Sequence, residues 1–382
     1  MRNEFLVFGA PAIGDEEVQE VVQCLRSGWL GTGPRVAQFE KDFANYKGVQ
    51  NAVALNSCTA GLHLSLCALD LRPGDEVITS PMTFCATVNS IIHAGGNPVL
   101  ADVDPVTQNM MPESVAAAVT PRTKAILPVH FAGRPCDMDS LSRIASDNDV
   151  RIVEDCAHAI EAEYHGRKIG TIGEFGCFSF YSTKNVVTGE GGMVLAQREE
   201  DAIRLRIMGL HGMSRDAWKR FGGEGYKHYD VVACGFKYNM MDLQAAIGIP
   251  QLRRVEANWA RRRAIWSRSS EELMDLPLRL PASPESDTKH GYHLYTVLVD
   301  SARCGICRDE FVNEMTRRKI GVGVHYRSIA DHPYYRDALG MDPGAYPNAL
   351  SIGRQTVSLP LSPKLTDSDV VDVIQAVREI LV

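Results

Sequence analysis

The stretch FSFYSTKN at residues 178–185 continues an apolar run and carries one lysine, Lys184, shortly before the turn GEGG at 189–192. A second apolar run, RIVED at 151–155, ends in the carboxylate of Asp155. Short apolar runs bounded by turn residues are typical of buried strands. We therefore expect Lys184 to leave a buried strand and to lie partly out of water, which lowers the pKa of an amine.

The same strand and helix pattern extends outward over residues 52–200. It predicts strands over 52–55, 76–79, 98–101, 125–129, 151–154, 175–180 and 192–196, and helices over 60–69, 86–94 and 138–147. Apolar strands that alternate with helices indicate an α/β fold with a mainly parallel central sheet covered on both faces. Ligands of such sheets bind beyond the carboxyl ends of the strands. Lys184, Asp155 and the segment NSCT at 56–59 all lie there.

The length of 382 residues exceeds one small core and predicts two domains. We expect a large domain over 1–250, including an N-terminal segment, and a smaller α+β C-terminal domain over 251–382. Strands are predicted near 292–299 and 321–325, and a final helix over 368–381. One helix is predicted over 242–275. Its arginines are expected to form a solvated face: Arg253, Arg254, Arg261, Arg262 and Arg263.

The composition is that of an ordinary globular protein, with 45% hydrophobic and 23% charged residues. The net charge of −7 argues against nucleic acid or an anionic membrane as a partner. No stretch approaches the roughly 18 apolar residues of a membrane span, and the N-terminus lacks the apolar run of a signal peptide. We therefore expect a cytoplasmic protein. The ten cysteines are scattered, and the one CxxC, at 304–307, has no second pair, so no metal site is predicted.

The lysine and the carboxylate together are what a pyridoxal 5'-phosphate (PLP) site requires. The lysine forms an imine with the cofactor, and the carboxylate pairs with the protonated ring nitrogen. Each residue alone has an ordinary explanation, because most lysines are solvated and many strand-end carboxylates only cap helices. The segment NSCTAG at 56–61 could bind a phosphate at a helix N-terminus, or its hydroxyls could simply cap that helix.

These segments, in this order, resemble the DegT/DnrJ/EryC1/StrS family of PLP-dependent sugar aminotransferases, which have the type I fold of PLP-dependent transferases. The resemblance also includes GWLGTGP at 28–34, PGDEVI at 73–78, GFKYNMMDLQAA at 235–246 and PYY at 333–335. It covers nearly the whole chain. One departure is that Ala330 stands where a second histidine is common after the His325-Tyr326 pair, so no role of that histidine is carried over.

The resemblance implies roles for individual residues. Lys184 is the catalytic, Schiff-base lysine, and the other implied cofactor contacts are Cys58, Thr59, Phe84, Asp155, His158, Ser179 and Asn239. Among them, Asn239 is implied to reach the phosphate of a neighbouring subunit, so a homodimer with shared active sites is expected. The implied substrate contacts are Trp29, Arg215, His325 and Tyr326.

The implied reaction moves an amino group from L-glutamate to a nucleotide-diphosphate-linked keto sugar. The loop HGMSRDAWKR at 211–220 offers cations for a diphosphate. Its form resembles that of family members acting at sugar carbon 4, and this resemblance implies amination at that carbon. A cyclitol ketone as acceptor and a non-catalytic regulatory member of the family are the alternatives. The related dehydratases carry histidine in place of the lysine, and the presence of Lys184 argues against that reaction.

Overall fold

The computed structural model describes residues 2–214 and 229–381. The strands are β1 Ala52–Leu55, β2 Glu76–Thr79, β3 Asn97–Leu100, β4 Thr123–Leu127, β5 Arg151–Asp155, β6 Glu163–Tyr164, β7 Arg167–Lys168, β8 Phe175–Ser179, β9 Gly192–Ala196, β10 Thr288–Lys289, β11 Tyr295–Leu298 and β12 Thr356–Leu359. The helices are α1 Asp15–Ser27, α2 Pro34–Lys47, α3 Cys58–Ala68, α4 Cys85–His93, α5 Pro112–Ala118, α6 Met138–Asp147, α7 Glu199–Gly209, α8 Asp242–Arg253, α9 Val255–Leu273, α10 Ser301–Cys304, α11 Arg308–Arg317, α12 Pro347–Gln355 and α13 Asp367–Leu381.

A seven-stranded sheet in the order β1-β9-β8-β5-β4-β2-β3 forms the centre of the fold. The pairs β2 with β3, β2 with β4, β4 with β5 and β5 with β8 are parallel, whereas β9 is antiparallel to both β8 and β1. The predicted mainly parallel α/β sheet is therefore confirmed. Because β9 is reversed relative to both neighbours, the carboxyl ends of the other six strands share one edge.

Both faces of the sheet are covered, as continuous apolar strands require. Alternate residues of β1 belong to different cores: Ala52 and Ala54 join one apolar cluster, and Val53 and Leu55 join the other. The first cluster includes side chains of α2, α6 and α8, and the second includes side chains of α3 and α7. Helix α3 lies very close to the sheet, because a Cβ at Gly61 would stand 2.8 Å from Cγ2 of Val194.

A separate apolar cluster holds the C-terminal elements together. Strands β11 and β12 pair antiparallel, and their side chains pack with those of α9, α11 and α13. The buried members of this cluster begin at Ile265. The division after residue 250 stays a prediction. No helix in the described ranges is long and apolar enough to cross a membrane.

Three predictions about the C-terminal half are wrong. The helix expected over 242–275 is interrupted at Arg254, where φ is −105° and ψ is 12°, because α8 packs on α1 and α2 whereas α9 packs on α13. Its arginines do not form a solvated face throughout, since Arg262 is only 1% exposed and pairs with Glu161. The strand expected over 321–325 is reduced to a single bridge between Gly323 and Ser358.

Lys47, the last residue of α2, is buried against the sheet. Its Nζ donates to the Ile169 carbonyl at 2.8 Å and lies 4.4 Å from the centre of the Phe178 ring. Burial lowers the pKa of Lys47 from 10.5 to about 8. The unfolded chain therefore binds more protons than the folded chain between these pH values, and stability rises as the pH increases through this window.

We expect Lys47→Met to raise the free energy of unfolding at pH 7 by about 1–3 kcal/mol, because it removes the cost of burying a charge. The rise in stability between pH 8 and 10.5 should also become smaller. Urea unfolding at several pH values measures both effects. Lys41→Met, at an exposed position of the same helix, is the control and should change neither. A less stable Lys47→Met variant at pH 7 would contradict this expectation.

Candidate active site

Three chain segments meet at the edge formed by the carboxyl ends of the strands. Strand β5 ends at Asp155, β8 ends at Ser179 and leads into the loop with Lys184, and β1 leads through Ser57 into α3. Strands β5 and β8 are direct neighbours, and β1 is joined to β8 through β9. The structure thus brings together the segments that the sequence singled out.

Lys184 supplies an amine whose proton affinity is reduced. Burial lowers the pKa of Lys184 to about 8, although the Cys58 thiol and the Asp155 carboxylate oppose this shift. The backbone N–H of Lys184 donates to the Tyr181 carbonyl at 2.8 Å, which turns the chain after β8. An amine with this pKa is half uncharged at about pH 8, whereas an ordinary lysine is almost fully protonated there. The uncharged form is the one required for nucleophilic attack or proton uptake.

Asp155 is a buried carboxylate with two hydrogen bonds. Its Oδ2 accepts from Oγ1 of Thr87 at 2.8 Å, and its Oδ1 accepts from the Ala157 backbone N–H at 3.1 Å. Burial raises the pKa of Asp155, whereas these hydrogen bonds and the Lys184 amine oppose the rise. Since a carboxylate offers about four lone-pair positions, Asp155 can accept another donor, such as the N–H of a protonated ring.

His158 and Tyr326 form a hydrogen-bonded pair beside these groups. His158 Nδ1 accepts from the Ala132 backbone N–H at 3.2 Å, and burial lowers the pKa of His158 well below its usual range. The neutral ring must therefore carry its hydrogen on Nε2, which donates to the Tyr326 hydroxyl oxygen at 3.1 Å. This arrangement leaves the hydroxyl hydrogen of Tyr326 available for another acceptor. The exposed Phe84 ring lies 6.2 Å from the Tyr326 ring, centre to centre.

The N-terminus of α3 forms a cradle at the same edge. Ser57 Oγ accepts from the Ala60 N–H at 3.1 Å, so the Ser57 hydroxyl caps the helix. The cap leaves the N–H groups of Cys58 and Thr59, the first two residues of α3, for a ligand. A Cβ at Gly192 would lie 2.4 Å from the Ser57 carbonyl carbon, so β9 can approach the cradle only with glycine there.

The remaining predicted contacts are distributed around this edge. Ser179 Oγ accepts from the Tyr181 N–H at 3.4 Å, and His325 Nδ1 lies 2.8 Å from the Ser358 hydroxyl. Burial lowers the pKa of His325 to about 4. Ala330, which stands where a second histidine is common in the family, is fully buried in a small apolar cluster. This position is therefore part of the core. Arg215 lies outside the described residues.

Asn239 and Trp29 both contact Thr32. Asn239 forms a backbone bridge with Leu55 at the end of β1, and its Nδ2 donates to the Thr32 hydroxyl at 2.7 Å. Trp29 is 43% exposed and its indole N–H donates to the Thr32 carbonyl at 3.1 Å. Asn239 is thus close to the α3 cradle of its own chain. Its predicted contact with a neighbouring subunit stays a prediction.

Sequence reasoning missed several polar residues of this site. Thr87, Glu161, Asn185, Arg262 and His293 are joined by hydrogen bonds to each other or to predicted residues. Thr87 gave a weak signal, because it lies four residues after Thr83 and therefore on the same side of the start of α4. Asn185 directly follows Lys184 in sequence, but its partner Glu161 is 24 positions away and His293 is 108 positions away. Arg262 is 101 positions from Glu161.

One group of potential metal ligands occurs among the described residues: His130, Glu154 and Cys156. The Glu154 carboxylate already accepts from the N–H groups of Gly170, Ile172 and Gly173 at 2.8 Å, and from His130 Nε2 at 3.1 Å. Its oxygens are occupied by donors. The geometry therefore favours a structural hydrogen-bond network over metal binding.

The sequence model of the DegT/DnrJ/EryC1/StrS aminotransferase family matches residues 11–378. The chain belongs to this family. It is 48% identical over 381 residues to the uncharacterized protein MJ1066 of Methanocaldococcus jannaschii, covering 100% of this chain and 99% of that protein. It is 47% identical over 381 residues to the spore coat polysaccharide biosynthesis protein SpsC of Bacillus subtilis, covering 100% and 98%.

A solved structure is also similar to this chain. The putative sugar aminotransferase Spr1654 of Streptococcus pneumoniae, in its PMP-form, superposes with a TM-score of 0.92 at 32% identity, covering 98% of each chain. Its PLP-form has a TM-score of 0.91. The predicted family, the type I transferase fold and PLP as the cofactor are therefore confirmed. The residues present suit that cofactor, because they provide a buried amine, a buried carboxylate and open N–H groups at a helix N-terminus.

Thr87 provides a test of how Asp155 is held. Because Thr87 donates its one hydroxyl hydrogen to Asp155, Thr83 must donate to Thr87 across their 2.7 Å separation. We expect Thr87→Val to lower kcat/KM for amino transfer by about 10- to 100-fold, the effect of losing a hydrogen bond to a charged group. Without this donor the pKa of Asp155 should rise, so the loss should be larger at about pH 6 than at about pH 8.

Thr87→Ser is the matched control, because it retains the hydroxyl donor and should remain within about threefold of the original enzyme. Steady-state rates over this pH range test both variants. Equal losses in the valine and serine variants would show that the hydroxyl has no role.

Proposed function

We propose that this chain is a PLP-dependent sugar aminotransferase that moves an amino group from L-glutamate to carbon 4 of a nucleotide-diphosphate-linked keto sugar. The observation that carries the proposal is the Lys184 amine, whose pKa burial lowers to about 8 beside the buried Asp155 carboxylate. The similarity to SpsC and to Spr1654, whose names refer to polysaccharide biosynthesis and to a sugar aminotransferase, supports the acceptor class.

Lys184 is the proposed proton carrier. PLP, when bound, supplies an electron sink that stabilises negative charge on the carbon next to the transferred nitrogen. The Lys184 amine can take up a proton at Nζ and return it nearby, because its pKa lies within about one unit of neutral pH. The same residue serves both halves of the transfer, from the donor amino acid and to the acceptor ketone.

The other residues would hold and orient the cofactor and the substrate. Asp155 would pair with the ring nitrogen, and the N–H groups of Cys58 and Thr59, together with the Ser179 hydroxyl, would hold the phosphate. The Tyr326 hydroxyl has a hydrogen to donate to a substrate oxygen, because its own oxygen accepts from His158. Phe84 would face the ring of the cofactor. Trp29 and His325 would contact the substrate, as would Arg215, which lies outside the described residues.

We further propose that two copies of the chain associate. Helix α1 exposes Val18, Val22 and Leu25 on one face, at the spacing of an apolar helical stripe. Trp29 and Leu30, shortly after this helix, are exposed as well. Exposed apolar side chains that cluster in this way are typical of protein–protein contacts. These exposed residues are close in sequence to Thr32, whose hydroxyl accepts a hydrogen bond from Asn239.

The cellular compartment is a further part of the proposal. All ten cysteines are free thiols, including Cys304 and Cys307 of the CxxC segment. Free thiols in this number are typical of a reducing compartment. We therefore propose a cytoplasmic enzyme.

The role of Lys184 is tested by Lys184→Ala. We expect this variant to lose the absorption band of the lysine-bound cofactor and to slow amino transfer by about 10²- to 10⁴-fold, the usual contribution of a positioned acid–base group. Lys364→Ala, at an exposed position, should retain both properties. An unchanged absorption band in Lys184→Ala would rule out the assignment.

The acceptor is tested by product mass after incubation with glutamate and a panel of ketones. Nucleotide-linked 4-keto-6-deoxysugars should gain the amino group. Turnover of scyllo-inosose alone would favour the cyclitol alternative. If glutamate does not convert bound PLP to its pyridoxamine form, the regulatory alternative would replace catalysis.

The dimer is tested by Val22→Glu, which places a charge in the apolar stripe of α1. We expect this variant to dissociate at protein concentrations where the original chain is dimeric, because an unpaired charge is costly in an apolar interface. Sedimentation measures the change. Val371→Glu, at an exposed position of α13, is the control and should leave the assembly intact. Equal behaviour of the two variants would contradict this surface as the contact.

A further inference from the structure

A buried polar network joins the lysine loop to three other segments. Asn185 directly follows Lys184, Glu161 lies in the loop after β5, Arg262 belongs to α9, and His293 precedes β11. Asn185 Nδ2 donates to Glu161 Oε2 at 2.8 Å, and Arg262 donates to the other carboxylate oxygen of Glu161. The network therefore connects the catalytic loop to elements of the C-terminal half.

The Asn185 amide is held by three hydrogen bonds. Besides its bond to Glu161, Nδ2 donates to the Gly291 carbonyl at 3.0 Å. Its Oδ1 lies 2.9 Å from Nδ1 of His293, which must carry the hydrogen because the amide oxygen can only accept. Reversing the amide would break all three bonds. The orientation of the residue next to Lys184 is thus fully specified.

Glu161 and Arg262 balance each other's charge away from water. The Glu161 side chain is fully buried and the Arg262 side chain is 2% exposed. Removal of either partner alone would leave an isolated buried charge, which destabilises a protein strongly. By contrast, a buried pair replaced by apolar side chains of similar size is often tolerated. Glu161 and Arg262 can therefore be replaced together without leaving an unpaired buried charge.

Arg262 borders a small cavity that it shares with Lys184. Its Nε and Nη1 have no partner among the described residues, and Arg262 and Lys184 line a common cavity of about 20 Å³. That volume suits a single water molecule and excludes an amino acid or a sugar. The hydrogen bonds that connect Arg262 to the lysine loop run through Glu161, which also accepts from Asn185.

We propose that Glu161 is a positioning residue: its carboxylate, balanced by Arg262, holds the Asn185 amide and so fixes the backbone from which Lys184 projects. This inference rests on the role of Lys184 given under the proposed function. It assigns a catalytic consequence to a buried ion pair that is not among the proposed cofactor and substrate contacts.

Two double variants separate positioning from stability. Glu161→Leu with Arg262→Met removes both charges and the acceptor for Asn185. Glu161→Gln with Arg262→Met removes the same charges but retains a side-chain oxygen that can accept from Asn185 Nδ2. Both should fold, with urea midpoints that differ from each other by less than about 0.5 M.

We expect the Leu/Met variant to lower kcat by about 10- to 100-fold with little change in KM for glutamate, since small misplacements of a catalytic group have effects of this size. The Gln/Met variant should remain within about threefold of the original enzyme. Equal kcat values in the two double variants, whether high or low, would overturn the proposal.

A second readout does not depend on turnover. In full-length enzyme loaded with pyridoxamine phosphate the Lys184 amine is free, and its acetylation can be followed against pH by mass spectrometry. The midpoint should rise in the Leu/Met variant, because a more hydrated loop removes part of the burial that lowers the pKa of Lys184. It should stay unchanged in the Gln/Met variant.

The two proposals fail in different ways. If Lys184→Ala retained the cofactor band, the proposed function would fail regardless of Glu161. If the original enzyme behaved as expected but both double variants acetylated Lys184 with the same midpoint, only the positioning role of Glu161 would be lost.

Discussion

Burial of the Asp155 carboxylate is the constraint on which the rest of the site depends. A carboxylate removed from water is tolerated only when donors surround it, and here Thr87 and the Ala157 N–H supply them. The backbone is held as well, because the Asp155 N–H donates to Pro128 and the Asp155 carbonyl accepts from the N–H of His130. The charge is thus fixed in place before a cofactor arrives.

The neighbouring carboxylate of Glu154 contributes from the opposite face of β5, as the alternation of side chains along a strand requires. Three backbone N–H groups of the loop 170–173 and the ring of His130 donate to it. Glu154 thereby anchors the strand end, and Asp155 faces the site. Two adjacent acids of the same segment therefore have separate tasks, one structural and one proposed as chemical.

Sequence reasoning located the strands well where apolar runs are bounded by turn residues. The strands predicted at 52–55, 76–79 and 192–196 have those bounds in the structure. The expected helix over 242–275 failed, because a break between two helices that pack on different partners leaves no clear mark in local composition. The prediction that Arg262 is solvated failed for a related reason. Charged residues recur around α9, so the sequence of this helix alone does not show which arginine faces the core.

The sequence by itself determined the alternation of strands and helices over residues 52–200, the family, and the segments that carry Lys184 and Asp155, because these depend on local apolar runs and on motifs. Only the tertiary structure decided which polar groups surround them. Thr87 reaches Asp155 across 68 positions, and Arg262 reaches Glu161 across 101. Such pairs form because packing brings distant segments into the same water-free space, where every buried charge must find a partner.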